Sequence, residues 1–285
     1  MALHTDWKPG LQPGFRAGSG GGPRLDRLGR EETYTGMTAA RESSTTLDAD
    51  EVRRFERLAK DWWDMKGPFK PLHRINPVRL TYIRDQLCKR FGRDPNQAGS
   101  LKGLKILDIG CGGGLVCEPL TRLGAEMTGI DPAEESIKAA RIHAEGAGLA
   151  IGYEAITAEA MAARGETFDA VLLLEVVEHV PDVPAFLRGI APLVRSGGVL
   201  ILSTLNRTLK AYALAIVGAE LILRWIPAGT HQWERFVTPA ELNAAIRSAG
   251  LAPSDVRGMV YNPLTDVWRL SSDTDVNYFA TALRA

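Results

Sequence analysis

The chain changes its hydrophobic pattern at Leu104. From there, short runs of apolar residues alternate with stretches in which apolar residues recur every three or four positions. The short runs are typical of buried strands and the longer stretches predict helices, so the pattern predicts a mostly parallel sheet covered by helices on both faces. The predicted fold class is α/β, with seven strands at residues 105–109, 126–130, 151–156, 168–174, 199–203, 253–260 and 277–283.

The predicted helices fall between these strands and before them. Thr238 stands at an N-cap, Pro239 at the first helical position and Gly250 just past the end, which marks the last helix. In the N-terminal part, one helix begins near Leu47, and another is predicted only after Pro77 because proline breaks a helix interior. The later helices are predicted at residues 78–91, 115–123, 133–147, 183–193 and 239–249.

Composition divides the chain into parts. Residues 1–46 are predicted to be disordered, since the stretch up to Gly36 is rich in glycine and proline, and we hypothesise that Met37 is the true start. The intact mass of the native protein tests this hypothesis. The rest is predicted to be one domain with a helical cap at 47–100, a core at 104–204, an apolar insertion at 205–236 and a C-terminal part of the sheet at 237–285.

Charge and cysteine content narrow the class of protein. Acidic and basic residues number 34 each, which argues against a nucleic-acid partner because phosphate contacts call for a basic excess. The three cysteines, Cys88, Cys111 and Cys117, make no disulfide framework and lack the spacing of a zinc site. No charge-free apolar run reaches the roughly 20 residues of a membrane-spanning helix. We therefore expect a cytoplasmic protein with reduced thiols.

A glycine-rich turn, Gly110 to Gly114, follows the first predicted strand. Asp108 precedes the turn, and Asp131 ends the second strand, where an acid can accept hydrogen bonds from ribose hydroxyls. The dinucleotide-binding pattern requires glycine at the position of Leu115, so a dinucleotide site is disfavoured. The turn is predicted to bind a cofactor that carries a ribose, and the candidate contacts are Asp108, Gly110, Gly112 and Asp131.

Two acids and a histidine follow the fourth predicted strand. Glu175, Glu178 and His179 come after the apolar run 168–174, and ligands of open parallel sheets bind at the carboxyl ends of strands. Three interpretations stay open for their role. The three side chains can hold a magnesium ion that acidifies a phenol, His179 can act as a general base without a metal, or the residues can be structural. Leu174, at the end of the strand, is predicted to contact the cofactor.

Several motifs resemble those of one enzyme class. The segment 106–114, Ile-Leu-Asp-Ile-Gly-Cys-Gly-Gly-Gly, is similar to the first motif of class I methyltransferases, whose loop wraps S-adenosylmethionine. More specific segments are Trp-Trp-Asp at 62–64, Lys-Pro-Leu-His-Arg-Ile-Asn-Pro at 70–77 and Thr-Leu-Asn-Arg at 204–207. With these, the chain from about Leu47 to its C-terminus closely resembles the ubiquinone-biosynthesis O-methyltransferases.

The resemblance implies a fold, a reaction and a set of residues. It implies a Rossmann-like methyltransferase fold, S-adenosylmethionine as cofactor and O-methylation of polyprenylated phenols and quinols at both such steps of the pathway. The implied cofactor contacts fall on Arg79, Gly110, Asp131 and Leu174. The family's metal-linked acids and histidine, which imply Mg²⁺, fall on Glu175, Glu178 and His179. Apart from the resemblance, the guanidinium of Arg79 suits the carboxylate of the cofactor.

The insertion at 205–236 predicts contact with a membrane surface. Its apolar residues are too few and too interrupted to span a bilayer, but they can lie in the interface with Arg207, Lys210 and Arg224 near anionic headgroups. That arrangement suits a substrate dissolved in lipid. We expect a peripheral protein on the inner face of the cytoplasmic membrane, with other ubiquinone-biosynthesis enzymes as partners. A lid over the active site is the alternative for this insertion.

Alternatives also stay open for the reaction. The core motifs do not fix the acceptor, so the chain can be a C- or N-methyltransferase of another small molecule. It can also be a non-catalytic assembly subunit that keeps the fold, although the intact glycine turn and both acids argue against this. A dinucleotide oxidoreductase is the third alternative. Methyl transfer to the oxygen of a prenylated catechol separates an O-methyltransferase from these alternatives.

Overall fold

An eight-stranded sheet forms the centre of the computed structural model. The structure describes residues 52–53, 58–211, 233–262, 264–265 and 267–285. The strands are β1 (Lys105–Ile109), β2 (Glu126–Ile130), β3 (Gly152–Glu154), β4 (Phe168–Leu174), β5 (Val194–Leu205), β6 (Ala252–Asn262), β7 (Val267–Ser271) and β8 (Asn277–Leu283). Their order is β3-β2-β1-β4-β5-β8-β6-β7, parallel from β3 to β5 and antiparallel beyond.

The predicted mostly parallel α/β sheet is confirmed, but the predicted count of seven strands is wrong. The additional strand is β7, which pairs with β6 and ends the sheet. Its sequence, Val-Trp-Arg-Leu-Ser, is short and has no buried residue, so it lacks the continuous apolar run that identifies β4. Cross-strand pairing, with Tyr261 opposite Trp268, makes this segment a strand.

Helices flank the sheet. They are α1 (Lys70–Phe91), α2 (Cys117–Arg122), α3 (Glu134–Gly146), α4 (Ala158–Ala163), α5 (Val183–Ile190) and α6 (Pro239–Ser248). Short 3-10 turns occur at Ala59–Asp61, Val177–His179, Ala191–Leu193 and Trp233–Arg235. The start of the helix predicted near Leu47 and the middle of the insertion, residues 212–232, lie outside the described residues. Among the helices that are described, none is long and apolar enough to cross a membrane.

Helix α1 begins two turns earlier than predicted. It starts at Lys70, has a proline in its first turn and continues through Pro77. The prediction that this helix starts only after Pro77 was wrong, because tertiary contacts hold the chain on both sides of the proline. Ile75 and Val78 are buried on either side of Pro77, and the Asn76 side-chain amide donates a 2.7 Å hydrogen bond to the carbonyl of Leu115. Packing thus offsets the loss of one helical hydrogen bond.

Strand β4 is buried on both faces, as its apolar sequence predicts. Ala170 and Leu172 pack with Tyr82 and other residues of α1 on one side, whereas Val171 and Leu173 pack on the opposite side with α5. Each large apolar side chain buried in this way stabilises the fold by roughly 1.5–3 kcal/mol. The two apolar layers fix β1, β2 and β4 side by side, and their carboxyl ends therefore open at a common edge of the sheet.

The predicted cap of the last helix is confirmed in the structure. The amide of Glu241 donates to Oγ1 of Thr238 at 3.3 Å, and Oε2 of Glu241 accepts a 2.9 Å hydrogen bond from the amide of Thr238. Two amides that would otherwise lack partners at the start of α6 are thereby satisfied. The helix then buries Leu242 and Ile246 against the sheet.

We expect Thr238→Ala to lower the free energy of unfolding by about 1 kcal/mol, because it removes the side-chain oxygen that accepts from the amide of Glu241, whereas the backbone amide at position 238 remains. Urea unfolding followed by circular dichroism measures the change. Thr238→Ser keeps the hydroxyl and is the matched control, for which we expect most of the stability to be retained. Equal midpoints for the wild type and Thr238→Ala would contradict the assignment of the cap.

Candidate active site

A cavity opens at the carboxyl ends of β1, β2 and β4. The predicted site residues that line it are Arg79, Asp108, Gly110, Gly112, Asp131, Leu174, Glu175 and His179. Glu178 is the remaining predicted residue, and it is buried behind the wall rather than in it. The topology thus brings together residues from α1 and from the segments at the ends of β1, β2 and β4.

The glycine turn is shaped by its neighbours. The amides of Gly110 and Cys111 both donate to the carbonyl of Ile130, at 2.8 and 3.1 Å, so the turn is attached to the end of β2. Gly110 and Gly112 have φ values of +73° and +52°, which favour glycine. A Cβ atom at Gly110 would lie 2.7 Å from Cγ2 of Val176, and one at Gly112 would collide with the Trp62 ring. Side chains at these positions would therefore displace the wall of the cavity.

Asp131 ties this turn to the start of the next helix. Its Oδ2 accepts a 3.0 Å hydrogen bond from the amide of Gly112, and its Oδ1 accepts a 2.8 Å hydrogen bond from the amide of Ala133. Burial raises the pKa of Asp131 to about 6, although the two amide donors oppose the shift. Each oxygen retains a lone pair, so the carboxylate can accept further hydrogen bonds from a diol.

Asp108 is a second acid in the cavity, and it is more deeply buried than Asp131. It is 3% exposed, and the thiol of Cys117 donates to its Oδ2 at 3.4 Å. Burial raises the pKa of Asp108 to about 7, while this thiol and the positive charge of Arg79 oppose the rise and Asp131 adds to it. The acid is consequently poised to change its charge when a cationic ligand enters the cavity.

Arg79 and Glu175 form an ion pair in the wall of the cavity. Nη2 of Arg79 lies 3.0 Å from Oε1 of Glu175, and Oγ of Ser203 donates to the same oxygen at 2.8 Å. Glu175 has a φ of +57°, and no other non-glycine residue in the described part of the chain has a positive φ. It therefore occupies a strained position just after β4. Nε of Arg79 is buried and has no hydrogen-bond partner. This donor is available to a ligand carboxylate.

Glu178 and Thr204 form a buried pair next to His179. Oγ1 of Thr204 donates a 2.7 Å hydrogen bond to Oε2 of Glu178, and the other carboxylate oxygen is buried without a hydrogen-bond partner. Burial, followed by the negative charge of Glu175, raises the pKa of Glu178, whereas His179 opposes the rise. His179 itself lines the cavity, whereas the carboxyl group of Glu178, whose pKa responds to the histidine, does not.

The magnesium set predicted from Glu175, Glu178 and His179 is not assembled. In the part of the chain that the structure describes, no three histidine, cysteine, aspartate or glutamate side chains are grouped to hold a metal ion. Glu175 Oε1 is engaged by Arg79 and Ser203, and the left-handed backbone at Glu175 redirects the chain immediately after β4. This donor set does not fit magnesium, which needs several oxygen ligands directed at one point.

Two tryptophans cover the glycine turn. The Trp62 ring stacks on Phe69 with centroids 3.8 Å apart, and its Nε1 donates to Oγ of Ser136 at 3.1 Å. Nε1 of Trp63 donates to the carbonyl of Gly113 at 3.0 Å. Trp62 therefore both packs in the interior and contributes to the cavity wall, since it is buried and also lines the cavity.

A histidine that the sequence did not single out supports Trp63. His143 of α3 stacks on the Trp63 ring with centroids 3.5 Å apart, and its Nδ1 lies 2.6 Å from Oε1 of Glu118, which is completely buried. Contacts therefore connect Glu118 of α2 with His143 of α3, and His143 with Trp63, which donates to the glycine turn. Neither Glu118 nor His143 stands in a motif, so only the tertiary structure reveals this support.

Sequence reasoning also missed the residues after β3 that complete the cavity. They are Ile156, Thr157, Ala158 and Glu159. The same rule that identified the ends of β1, β2 and β4 would have found them, because β3 is parallel to β2 and ends at the same edge. Thr157 also caps α4, since its Oγ1 accepts from the amide of Ala160.

Comparisons with known proteins agree with this geometry. A family model described as a methyltransferase domain matches residues 107–202. The chain is 55% identical over 239 residues to the ubiquinone biosynthesis O-methyltransferase of Methylobacterium nodulans, covering 84% of this chain and 96% of the relative. It is 53% identical over 240 residues to the enzyme of the same name from Brucella anthropi, covering 84% and 97%.

A solved structure shows the same fold. The magnesium protoporphyrin IX methyltransferase of Synechocystis, with bound S-adenosylhomocysteine, aligns with a TM-score of 0.55 at 20% identity, covering 82% of this chain and 94% of the other. The cavity residues fit S-adenosylmethionine. Nε of Arg79 has no hydrogen-bond acceptor in the protein, and the carboxylate of the cofactor can supply one. Asp131 can accept hydrogen bonds from the ribose. When bound, the cofactor supplies a methyl group on a positively charged sulfur.

We expect the affinity for S-adenosylmethionine to increase as the pH rises from about 6 to about 8, because the ionised form of Asp108 attracts the cationic cofactor. Below a pKa of about 7 this acid is mostly protonated, and binding must then release a proton. Calorimetry at several pH values measures the dissociation constant.

The matched control is Asp108→Asn, which is neutral at every pH. Titration of the cofactor's own amino group affects both proteins equally, so the comparison isolates Asp108. We expect the variant to show a flatter pH profile than the wild type. Parallel profiles for the two proteins would contradict the role assigned to this acid.

Proposed function

The chain belongs to the ubiquinone biosynthesis O-methyltransferases, and from this membership we propose that its acceptors are hydroxyl groups of polyprenylated hydroxyphenols and quinols. It is an S-adenosylmethionine-dependent O-methyltransferase. We propose that one active site carries out both O-methylation steps. The supporting observation is the similarity to relatives of that name over 94–97% of their length.

The proposed cofactor contacts follow from the partners of each side chain. Arg79 binds the cofactor carboxylate through its unpaired Nε, while Nη2 stays on Glu175. Asp131 accepts from the ribose hydroxyls and keeps its hydrogen bonds to the glycine turn. Asp108 supplies negative charge, and Leu174 packs at the cavity wall. Gly110 and Gly112 leave room for the cofactor to approach the backbone.

The proposed chemistry needs one proton acceptor. The acceptor phenol loses its proton to the imidazole of His179, and the oxygen then attacks the methyl carbon of the cofactor. A carbon–oxygen bond forms while the carbon–sulfur bond breaks, and S-adenosylhomocysteine leaves with the electron pair on sulfur. The imidazolium gains stabilisation from Glu178, whose carboxylate is held by Thr204. Solvent later removes the proton from His179.

This proposal contains no metal-dependent step, since the donors at Glu175, Glu178 and His179 do not converge on one point. Glu175 instead serves as the partner of Arg79. The strained backbone at Glu175 costs folding free energy, which supports a functional role for this residue.

The polyprenyl chain of the proposed acceptor places the reaction at a membrane. We propose that the protein binds peripherally to the inner face of the cytoplasmic membrane and receives its substrate from the lipid or from other enzymes of ubiquinone biosynthesis. The apolar sequence of the insertion supports this proposal, although its central residues lie outside the described part of the structure.

The acceptor is tested with radiolabelled S-adenosylmethionine and a short-chain prenylated catechol, with magnesium present throughout. We expect label in the O-methyl product. A prenylated benzene with both oxygens already methylated is the matched control, and it should take up no label. Transfer to carbon or nitrogen acceptors in preference to the catechol would contradict the proposed function.

For the proposed base, we expect His179→Gln to lower kcat by roughly 10²–10⁴-fold at neutral pH, because the amide can form hydrogen bonds but cannot take the proton. Affinity for the cofactor should change little. Activity of the variant should recover as the pH approaches about 10, where a phenol ionises without help.

The recovery at high pH separates a lost base from a damaged fold. Thr204→Val removes the hydrogen bond to Glu178 and should produce a smaller loss than His179→Gln. A His179→Gln enzyme within twofold of the wild type at neutral pH would exclude His179 as the base.

A further inference from the structure

A second cavity lies apart from the cofactor site. It is formed where the start of α1 meets the strands β6 and β7, and it shares no lining residue with the cofactor cavity. The lining includes three cationic side chains, Lys66, Lys70 and Arg74, and two aromatic ones, Tyr261 and Trp268. None of these residues has a part in the methyl transfer proposed above.

The cationic residues form a local excess of positive charge on a chain with no net charge. Lys70 and Arg74 are one turn apart on α1 and therefore share a face of the helix. Lys66 lies in the turn before it, where its backbone amide donates to Oδ1 of Asp64 at 2.8 Å. Lys66 and Lys70 are both exposed. A ligand for this cavity is accordingly expected to be anionic.

The aromatic pair comes from the edge of the sheet. Tyr261 of β6 and Trp268 of β7 are directly opposite in the antiparallel register, with ring centroids 5.4 Å apart. Both side chains are partly exposed. Tyrosine and tryptophan combine an apolar body with a polar tip and are enriched where proteins meet the headgroup region of a bilayer.

Exposed apolar side chains are concentrated beside this cavity. Of the six large hydrophobic residues that are exposed in the described part of the chain, four are in the segments that form it: Met65, Leu264, Val267 and Leu270. Met65 precedes Lys66 and is 64% exposed, and Leu264, between β6 and β7, is 94% exposed. Such exposure costs free energy in water unless another apolar phase covers the side chains.

We propose that this face of the protein docks on an anionic phospholipid bilayer. Lipid phosphates occupy the cationic cavity, and the apolar side chains beside it enter the interface. We call this surface the hairpin face and define it by Met65, Lys66, Lys70, Arg74, Tyr261, Leu264, Val267, Trp268 and Leu270. It is separate in sequence from the insertion at 205–236, so it is a membrane contact distinct from the one proposed for that insertion.

Both charge and apolar exposure favour a bilayer over a soluble anion. A free phosphate would use the cations alone, and nothing in that contact would cover Leu264 or Val267. A bilayer satisfies both at once, with cations at the headgroups and apolar side chains just beneath. The proposed polyprenyl acceptor explains why the enzyme would dock on a membrane, and in that respect this inference rests on the proposed function. The docking itself is tested without substrate, because vesicle binding is measured in its absence.

The test is co-sedimentation of the full chain with vesicles of equal parts phosphatidylcholine and phosphatidylglycerol. Lys66→Glu combined with Lys70→Glu should weaken binding by roughly tenfold or more, because each basic residue contributes attraction near an anionic surface. The matched control is Lys89→Glu with Lys102→Glu, which changes the net charge equally at exposed lysines outside the hairpin face. We expect this control to bind nearly as well as the wild type.

A third variant, Leu264→Ser, tests the apolar contribution at a residue that packs on little else. It should weaken binding severalfold, and dissolved glycerol phosphate should not displace the wild type from vesicles. Equal loss for the two double variants would overturn the proposal, as would unchanged binding by Leu264→Ser or full displacement by glycerol phosphate.

An activity assay separates this inference from the proposed function. The Lys66→Glu, Lys70→Glu enzyme should methylate a water-soluble short-chain catechol as fast as the wild type, because neither residue lines the cofactor cavity. If only the Lys66→Glu, Lys70→Glu variant loses vesicle binding and the wild type does not methylate the catechol, the proposed function is refuted and the hairpin face is supported. If the wild type methylates the catechol and both double variants lose vesicle binding equally, the hairpin face is refuted and the proposed function is supported.

Discussion

The carboxylate of Asp131 joins the two parts of the chain on which the cofactor site depends. By accepting from the amide of Gly112 and from that of Ala133, it holds the glycine turn after β1 against the first turn of α3. Parallel pairing of β1 with β2 and the backbone hydrogen bonds from Gly110 and Cys111 to Ile130 bring these parts to one edge, and the side chain of Asp131 adds the link between Gly112 and Ala133. The shape of the cavity floor therefore follows from one partly buried carboxylate and the glycines that allow the backbone to approach it.

Buried acids give the site its electrostatic character. Burial raises the pKa of Asp108, Asp131 and Glu178, which means that the protein holds negative charge where water solvates it poorly. A cofactor with a positive sulfur and an ammonium group relieves that cost. The ion pair between Arg79 and Glu175 serves a different purpose, because it orients a guanidinium whose Nε still lacks a partner. Charge is thus arranged for a ligand rather than for stability alone.

Sequence patterns predicted the parts of the molecule that local chemistry determines. Apolar runs identified the central parallel strands, and the two acids with the glycine turn identified the cavity. Contacts made only in the folded chain could not be predicted: β7 is a strand through its pairing with β6, and α1 passes Pro77 because its neighbours are buried. The support of Trp63 by His143, and the engagement of Glu175 by Arg79 in place of a metal, likewise depend on tertiary proximity.

The central claim is that Asp131 organises a site for S-adenosylmethionine. Calorimetric titration of the cofactor into the wild type and into Asp131→Ala at slightly alkaline pH tests it most directly, with circular dichroism to verify that the variant folds. The account predicts a dissociation constant raised by roughly 100-fold or more, since removing the carboxylate loses charge-assisted hydrogen bonds to the ligand and to the glycine turn. A folded variant that binds the cofactor as tightly as the wild type would contradict it.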